Sequence, residues 1–239
     1  MAAPDRIGIE LAVSAVVFAL RPHPETGELT LWLPLVRRIR EPYEGRWALP
    51  GGPLGPDEDL VDSARSTLRR TTGLTPHHLE QLYAFGDADR SPDASTAPHA
   101  RVVSIVYWVL VGQDEDAEAV DGENVEWFPA DDIAEEAGPL AFDHDVILGY
   151  ALRRLRAKVT YSPIAHAFLP EEFPLAQLRQ VYEAILNRAL DPSNFRRQIL
   201  AQGTVEDTGR RMTGTAHRPP KLYRSAPDRS RYTLTIQET

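Results

Sequence analysis

The chain has 239 residues, 42% of them hydrophobic and 26% charged, so it can bury a core and wholesale disorder is excluded. It has no cysteine, which excludes a disulfide scaffold, a thiolate zinc site and thiol catalysis, and fits a reducing cytoplasm. The net charge of −9 is unevenly spread: residues 1–145 carry −16 and residues 146–239 carry +7, as if two modules had different partners, the second an anionic polymer or a membrane surface.

Leu11–Leu20 is apolar but too short to span a bilayer. Ile7–Leu20 reads as a strand, Arg21–Glu28 as a turn and Leu29–Arg38 as its hairpin partner. After Trp47-Ala48-Leu49-Pro50-Gly51-Gly52 and a proline-rich loop, a helix pattern runs from Asp57 to a cap at Gly73, with Leu60, Val61, Ala64 and Leu68 on one stripe. Leu79–Asp87 and Arg101–Val111 are strand candidates on either side of a polar loop, Asp89–His99. The second is apolar on both faces and therefore central. Gln113–Glu123 is an acidic loop and Val125–Phe128 a short strand, which completes a mixed α/β domain.

From Asp143 to Lys158 the pattern is helical through Val146, Ile147, Tyr150, Ala151 and Leu155. Tyr161–Pro174, with three prolines, reads as a connector. Leu175–Leu186, a short turn and Pro192–Gln202 then have helix-turn-helix dimensions, the second helix opening at Asp191-Pro192 and burying Phe195, Ile199 and Leu200. Its opposite face carries Asn194, Arg197, Gln198 and Ala201. Asn and Gln read adenine and Arg reads guanine in the major groove, and Arg196 flanks this face toward phosphate. A short strand, the loop Arg210–Pro220 and the strand Lys221–Ser225 form a basic hairpin with Arg210, Arg211, His217, Arg218, Lys221 and Arg224. That is the composition of a DNA-binding wing.

Gly52, Glu58, Leu68, Gly73 and Leu74, preceded by WALPGG, lie on the frame G-x5-E-x7-R-E-U-x-E-E-x-G-U. The segment resembles the signature of the Nudix hydrolases. In that family the glutamates of the frame hold the divalent cation that activates water. Their positions here are Thr67, Arg70 and Thr71, with Ser66 in place of the arginine. The carboxylates that a hard cation needs are missing and a guanidinium takes one of their places. The expectation is a non-hydrolytic domain with no metal ligand and no catalytic residue, in which Arg70 supplies charge toward a bound diphosphate. Arg37, Arg38, Arg46 and Arg101 suit such a ligand, Trp47 suits base stacking, and Gly51 and Gly52 permit close backbone approach to phosphate.

The two halves together, from about residue 7 to 225, resemble the Nudix-related transcriptional regulators of NAD metabolism. Supporting stretches are RVVSIVYWVLV, LAFDHDVILGYALRRLRAK, YSPIAHAFLPEEF, VYEAILNRALDPSNFRRQIL and RPPKLYR. The resemblance implies an α/β Nudix fold over residues 1–158 followed by a winged helix-turn-helix over 159–225, with 226–239 as a tail. It further implies a cytoplasmic homodimer that binds a palindromic operator, represses genes of NAD synthesis or salvage, and needs no cofactor. The implied effector is ADP-ribose, NAD or a related nucleotide. Two other functions fit the same residues: a hydrolase of ADP-ribose-like substrates using Glu58 and the acids of Asp114–Glu126, and an RNA-binding or interaction protein using the basic tail.

Overall fold

The computed structural model describes residues 8–75, 79–87, 90, 100–112, 124–213 and 219–226. Strand β1 (Gly8–Pro22) is the backbone of the first half. Successive side chains of a strand point to opposite faces, and here both faces are buried from Val13 to Leu20. β1 runs parallel to β6 (Ala100–Val111) without a break in register, from Gly8 opposite Ala100 to Ala19 opposite Val111. On its other edge it changes partner halfway. Its C-terminal end pairs antiparallel with β2 (Leu29–Arg37), and Ala12–Ser14 pair with β4 (Gly51–Pro53). The sheet order is β3-β2-β1-β6-β5, with β3 at Trp47–Ala48 and β5 at Leu79–Phe85; β7 (Val125–Pro129) pairs with β2.

Helix α1 (Leu60–Thr72) covers one face. Its Leu68, with Leu74 just beyond it, packs on Ala15, Val17, Ala19, Val109 and Val111, and Ala64 packs on Val13 and Tyr107. The helix begins at Leu60, because Asp59 is the extended N-cap residue and Asp57–Glu58 belong to the turn before it. Gly73 closes it at φ 72°, as expected. The stripe is rotated from the sequence expectation: Ser63, Ala64, Thr67, Leu68 and Thr72 are buried, and Val61 is exposed. Small residues face the sheet there, so apolarity alone misplaced the stripe.

The opposite face of the sheet leads directly into the C-terminal half. Past a one-turn helix α2 (Ile133–Glu136) comes α3 (His144–Val159), which buries Ile147, Leu148, Ala151, Leu155 and Val159; Val146, assigned to that stripe from sequence, is exposed. The proline-bearing connector after α3 is itself folded. It folds as a 3-10 turn, Pro163–Phe168, with Ile164, Ala165 and Phe168 buried. Pro163 sits at the first helical position, where a missing N–H leaves nothing unsatisfied. Phe173, in the two-residue strand β8 (Phe173–Pro174), is also buried. Helices α4 (Leu175–Leu186) and α5 (Pro192–Gln202) follow, then the hairpin β9 (Val205–Arg211) and β10 (Lys221–Ser225). β8, β10 and β9 form a three-stranded sheet in that order. In α5, Phe195 and Ile199 are buried while Leu200 is exposed, since adjacent residues on a helix lie about 100° apart and only one can face inward. Two of the expected loop arginines, Arg210 and Arg211, belong to strand β9.

One apolar cluster therefore runs from Val16, Phe18, Leu33 and Trp108 of the large sheet through Leu155 and Phe168 to Leu178, Ile185, Phe195 and Tyr223. Truncating its centre, Phe168→Ala, is expected to cost about 3–5 kcal/mol. Because the core is shared, tryptophan fluorescence and far-UV circular dichroism should report one urea transition, shifted together.

A polar contact fixes the start of α3. The Leu49 N–H donates to Nδ1 of buried His144 at 2.9 Å, which requires a neutral ring with its proton on Nε2. Burial pushes the His144 pKa down to about 4; Asp143 opposes the shift, and the Arg90 and Arg38 charges add to it. The unfolded chain takes this proton near pH 6.5, whereas the folded chain resists until about pH 4. Stability is expected to fall as pH drops through that window, by roughly 3 kcal/mol in all at about 1.4 kcal/mol per unit. His144→Asn keeps an acceptor but cannot titrate, so pH-dependent urea unfolding should show a shallower loss. His166, also lowered to about 4 by burial, contributes equally to both proteins.

Candidate functional site

The first candidate surface gathers around the β2–β3 connection. Arg37 places its guanidinium 5.8 Å from the Trp47 ring and donates to the Gly45 carbonyl. Arg38 lies 4.6 Å over Phe142 and donates to the carbonyls of Pro42 and Arg40. Burial lowers its pKa, against the raising influence of Glu41. Arg46 lies 5.2 Å over Tyr43, which meets Phe142 edge-on at 5.0 Å. Cation–aromatic contacts of this kind hold the guanidinium heads in fixed positions without neutralising them. Four of the sequence candidates thus share one neighbourhood. Trp47 has an edge-on contact with Phe128 at 5.1 Å and is half-buried, so it also serves the core.

The other four candidates are held separately. Arg70 contacts the Thr67 hydroxyl at 3.5 Å on α1, and Arg101 donates to the Gly86 carbonyl at the far end of β6. Gly51 has a reason internal to the sheet: a Cβ there would meet Ser14 Oγ at 2.7 Å and Val13 O at 2.9 Å. Gly52 faces open space, and a Cβ there would meet nothing within 4 Å. Sequence reasoning missed Tyr43, Phe142, His144 and Arg90. Phe142 has φ +57° and sits between Arg38 and His144, its ring 5.4 Å from the imidazole. Arg90 is bound to Asp143 at 2.5 and 2.9 Å and to the Phe85 carbonyl at 2.8 Å. The stretch LAFDHD carried the signal, but its partners lie some 50–100 residues away in the chain.

On α1, the positions that carry carboxylates in a Nudix hydrolase present a different donor set. Thr67 is buried, Thr71 Oγ1 donates to the Thr67 carbonyl at 2.7 Å, and Arg70 is exposed beside them. Glu58 Oε2 accepts from the Gly55 N–H at 3.3 Å. A buried threonine, a second hydroxyl that donates back to the helix and a guanidinium do not fit a divalent cation that takes six or so oxygen ligands. The acids of residues 114–123 lie outside the described residues.

The second surface is built by α4 and α5. Asn187, at φ 50°, ends α4 in the left-handed region. Glu183 fixes the turn: its Oε1 accepts from the Leu190 N–H at 2.7 Å and from Arg179 at 2.5 Å. Arg156 of α3 donates to the Ile185 carbonyl at 2.9 Å and pairs with Asp131 at 2.5 Å. Tyr182 of α4 meets Phe195 of α5 edge-on at 5.2 Å. With Phe195 and Ile199 turned inward, Asn194, Arg196, Arg197 and Gln198 are exposed together. Arg197 donates to the Asn194 side chain at 2.6 Å, and the Asp191 carboxylate caps the helix by accepting from the Asn194 N–H at 2.7 Å.

On the wing, Arg210 pairs with Glu172 at 3.0 Å, Lys221 with Asp207 at 2.6 Å and Arg224 with Glu206 at 3.1 Å. Arg211 donates to the Pro219 carbonyl at 2.9 Å. His217 and Arg218 lie outside the described residues, as does the tail from 227 onward.

Two family models match the chain: the NUDIX domain over residues 11–148 and the NrtR DNA-binding winged helix domain over residues 165–225. An ADPR responsive transcriptional repressor, NtrR, of Acinetobacter baylyi is 32% identical over 90% of this chain and 82% of its own length. The crystal structure of Shewanella oneidensis NrtR complexed with a 27mer DNA superposes with a TM-score of 0.71 at 31% identity, covering 91% of this chain and 94% of that one. An ADP-ribose pyrophosphatase of Methanocaldococcus jannaschii is 29% identical over 48% of this chain and 62% of its own. The chain belongs to the NUDIX domain family, in the branch that joins this domain to an NrtR-type winged helix.

Proposed function

We propose that the chain is a DNA-binding transcriptional repressor whose Nudix half senses ADP-ribose or a closely related nucleotide. The observation that carries this reading is the pairing of both modules along nearly the whole chain with a repressor described as ADPR responsive. The exposed face of α5 supports it with the residue types that read base edges. In this reading residues 1–158 form the sensor and 159–225 the DNA-binding module. The chain acts as a homodimer on a palindromic operator, with half-site centres about one helical turn (~34 Å) or a multiple of it apart. The regulated genes are those of NAD synthesis or salvage, and the effector releases repression. A repressor of this kind works in the cytoplasm, as the similarity to the Acinetobacter repressor implies.

Asn194, Arg197 and Gln198 are assigned to base edges. Arg196, Arg210, Arg211, His217, Arg218, Lys221 and Arg224 are assigned to phosphate. Arg37, Arg38, Arg46, Trp47, Gly51, Gly52, Arg70 and Arg101 are assigned to the nucleotide, with Tyr43 and Phe142 added because they hold Arg46 and Arg38 in place.

A second reading, hydrolysis of ADP-ribose, is favoured by the similarity to the archaeal pyrophosphatase. The donor set on α1 speaks against it. Pure protein with ADP-ribose and magnesium or manganese is expected to release no AMP; sustained release would establish the enzyme.

The regulator is tested by fluorescence anisotropy on a duplex selected by the protein itself, with and without ADP-ribose. Operator affinity should fall when ADP-ribose is added. Arg197→Ala should cost about 1–3 kcal/mol on the operator and relax base preference, whereas Arg196→Ala should weaken all duplexes alike. Arg101→Ala removes an exposed side chain, so operator binding should survive while the response to ADP-ribose is lost. Operator binding that ignores saturating ADP-ribose and NAD would leave the Nudix half a scaffold.

A further inference from the structure

The wing has cations, as sequence predicted, but the structure pairs most of those it describes with carboxylates of the same small sheet. Arg210 meets Glu172, Lys221 meets Asp207 and Arg224 meets Glu206, at 3.0, 2.6 and 3.1 Å. The pairs are solvent-facing, with the Arg210 side chain 72% exposed, so they contribute little to stability. Two of the three acids are in β9, and Glu172 directly precedes β8; Glu206 stands opposite Arg224 in register. Asp207 also accepts from the Gly209 N–H at 2.9 Å, and the Lys221 and Gly209 bonds hold its pKa below the usual carboxylate value. It is therefore ionised wherever DNA binding is measured. The recognition helix is different: the hydrogen-bond partner of Arg197 is the neutral Asn194 side chain.

We propose that Glu172, Glu206 and Asp207 are built-in competitors for DNA phosphate, which hold down the sequence-independent attraction of the wing for nucleic acid. The proposal rests on the DNA-binding reading above. Its physical basis is counterion exchange. A free lysine or arginine that meets a phosphate releases a condensed salt cation from the duplex, and this release drives non-specific binding. A paired cation must first leave its carboxylate. The carboxylate, freed beside the phosphates, draws salt cations back toward the complex, which offsets the release. If the carboxylate instead stays in place, it repels the arriving phosphate. Either way the contact adds little to affinity and little to its salt dependence. Base contacts through Asn194, Arg197 and Gln198 are untouched by this competition, so discrimination between sequences rests on α5.

The test is an anisotropy titration of a mixed-sequence duplex across a salt series. The wild type is compared with the triple variant Glu172→Gln, Glu206→Gln, Asp207→Asn, in which the amide at position 207 still offers an acceptor to the Gly209 N–H. A charge-matched control carries Glu25→Gln, Glu28→Gln and Glu135→Gln, three exposed acids remote from the wing in sequence, two in the β1–β2 connection and one on α2. The wing variant should bind the mixed duplex at least tenfold more tightly near physiological salt. Its plot of log affinity against log salt should steepen by about 2.7, from about 0.9 per freed cation. The control should move neither quantity comparably. If both triple variants give the same slope and affinity, the proposal is overturned. Should the wing variant fold poorly, Glu206→Gln alone frees Arg224 and must steepen the slope by about 0.9; no change there is equally fatal. A wild type that binds no duplex at any salt would instead remove the DNA-binding reading itself.

Discussion

Everything in this molecule depends on the apolar face of β1 and β6 that points away from α1. Val16, Phe18, Val106, Trp108 and Leu110 project from it and are covered by side chains of α3, the 3-10 turn and α4. The winged helix is thus not hung from the Nudix domain by a strap. Its first helix helps to close the Nudix core, and the sheet supplies part of the floor of the winged helix. Interiors packed at crystal-like density do not deform continuously, so a displacement on one side of such a core is felt as a rigid movement on the other. The Nudix half and the winged helix are in direct mechanical contact through this shared core.

Much of this was legible in the sequence. The periodicities of β1, β2, β6, α3, α4 and α5 placed those elements within a residue or two, because long regular stretches over-determine their own pattern. Gly73 marked the end of α1 from sequence, and in the structure Asn187 and Gly203 close α4 and α5 with the same left-handed backbone. What failed had identifiable causes. β3, β4 and β8 have two or three residues each, too few to show alternation, and exist because longer strands beside them offer free backbone groups. The segment 161–174 was read as a connector from its prolines, and the burial of its apolar residues Ile164, Phe168 and Phe173 was not anticipated because they show no regular spacing. Val61, Val146 and Leu200 were placed inward on hydrophobicity, but neighbouring positions at better angles had already taken the available surface.

The candidate sites divide in the same way. On α5 the candidate DNA face follows from one-dimensional spacing, since the buried pair Phe195 and Ile199 fixes which residues face outward. The candidate nucleotide surface does not follow from spacing. Phe142 and His144 reach Arg38 and Leu49 only through the fold, and the reason for Gly51 is the Ser14 side chain on a strand nearly forty residues earlier. Charge on the wing was read correctly as composition and incompletely as electrostatics, because a list of cations does not reveal which are already matched to Glu172, Glu206 or Asp207.

Helix α3 has 16 residues, which makes it a rod about 24 Å long at 1.5 Å per residue. Its first residue is His144, pinned to Leu49 beside the arginine cluster, and near its far end Arg156 grips the last turn of α4. Leverage follows from that length alone. A pivot of roughly 5° about the His144 end carries the Val159 end sideways by about 2 Å, given the same rise per residue. In the homodimer proposed above, such a shift at each rod would change the distance between the two α5 helices. Two α5 helices set for successive major grooves would then lose register, although the atoms at the His144 end had moved by only a fraction of that amount.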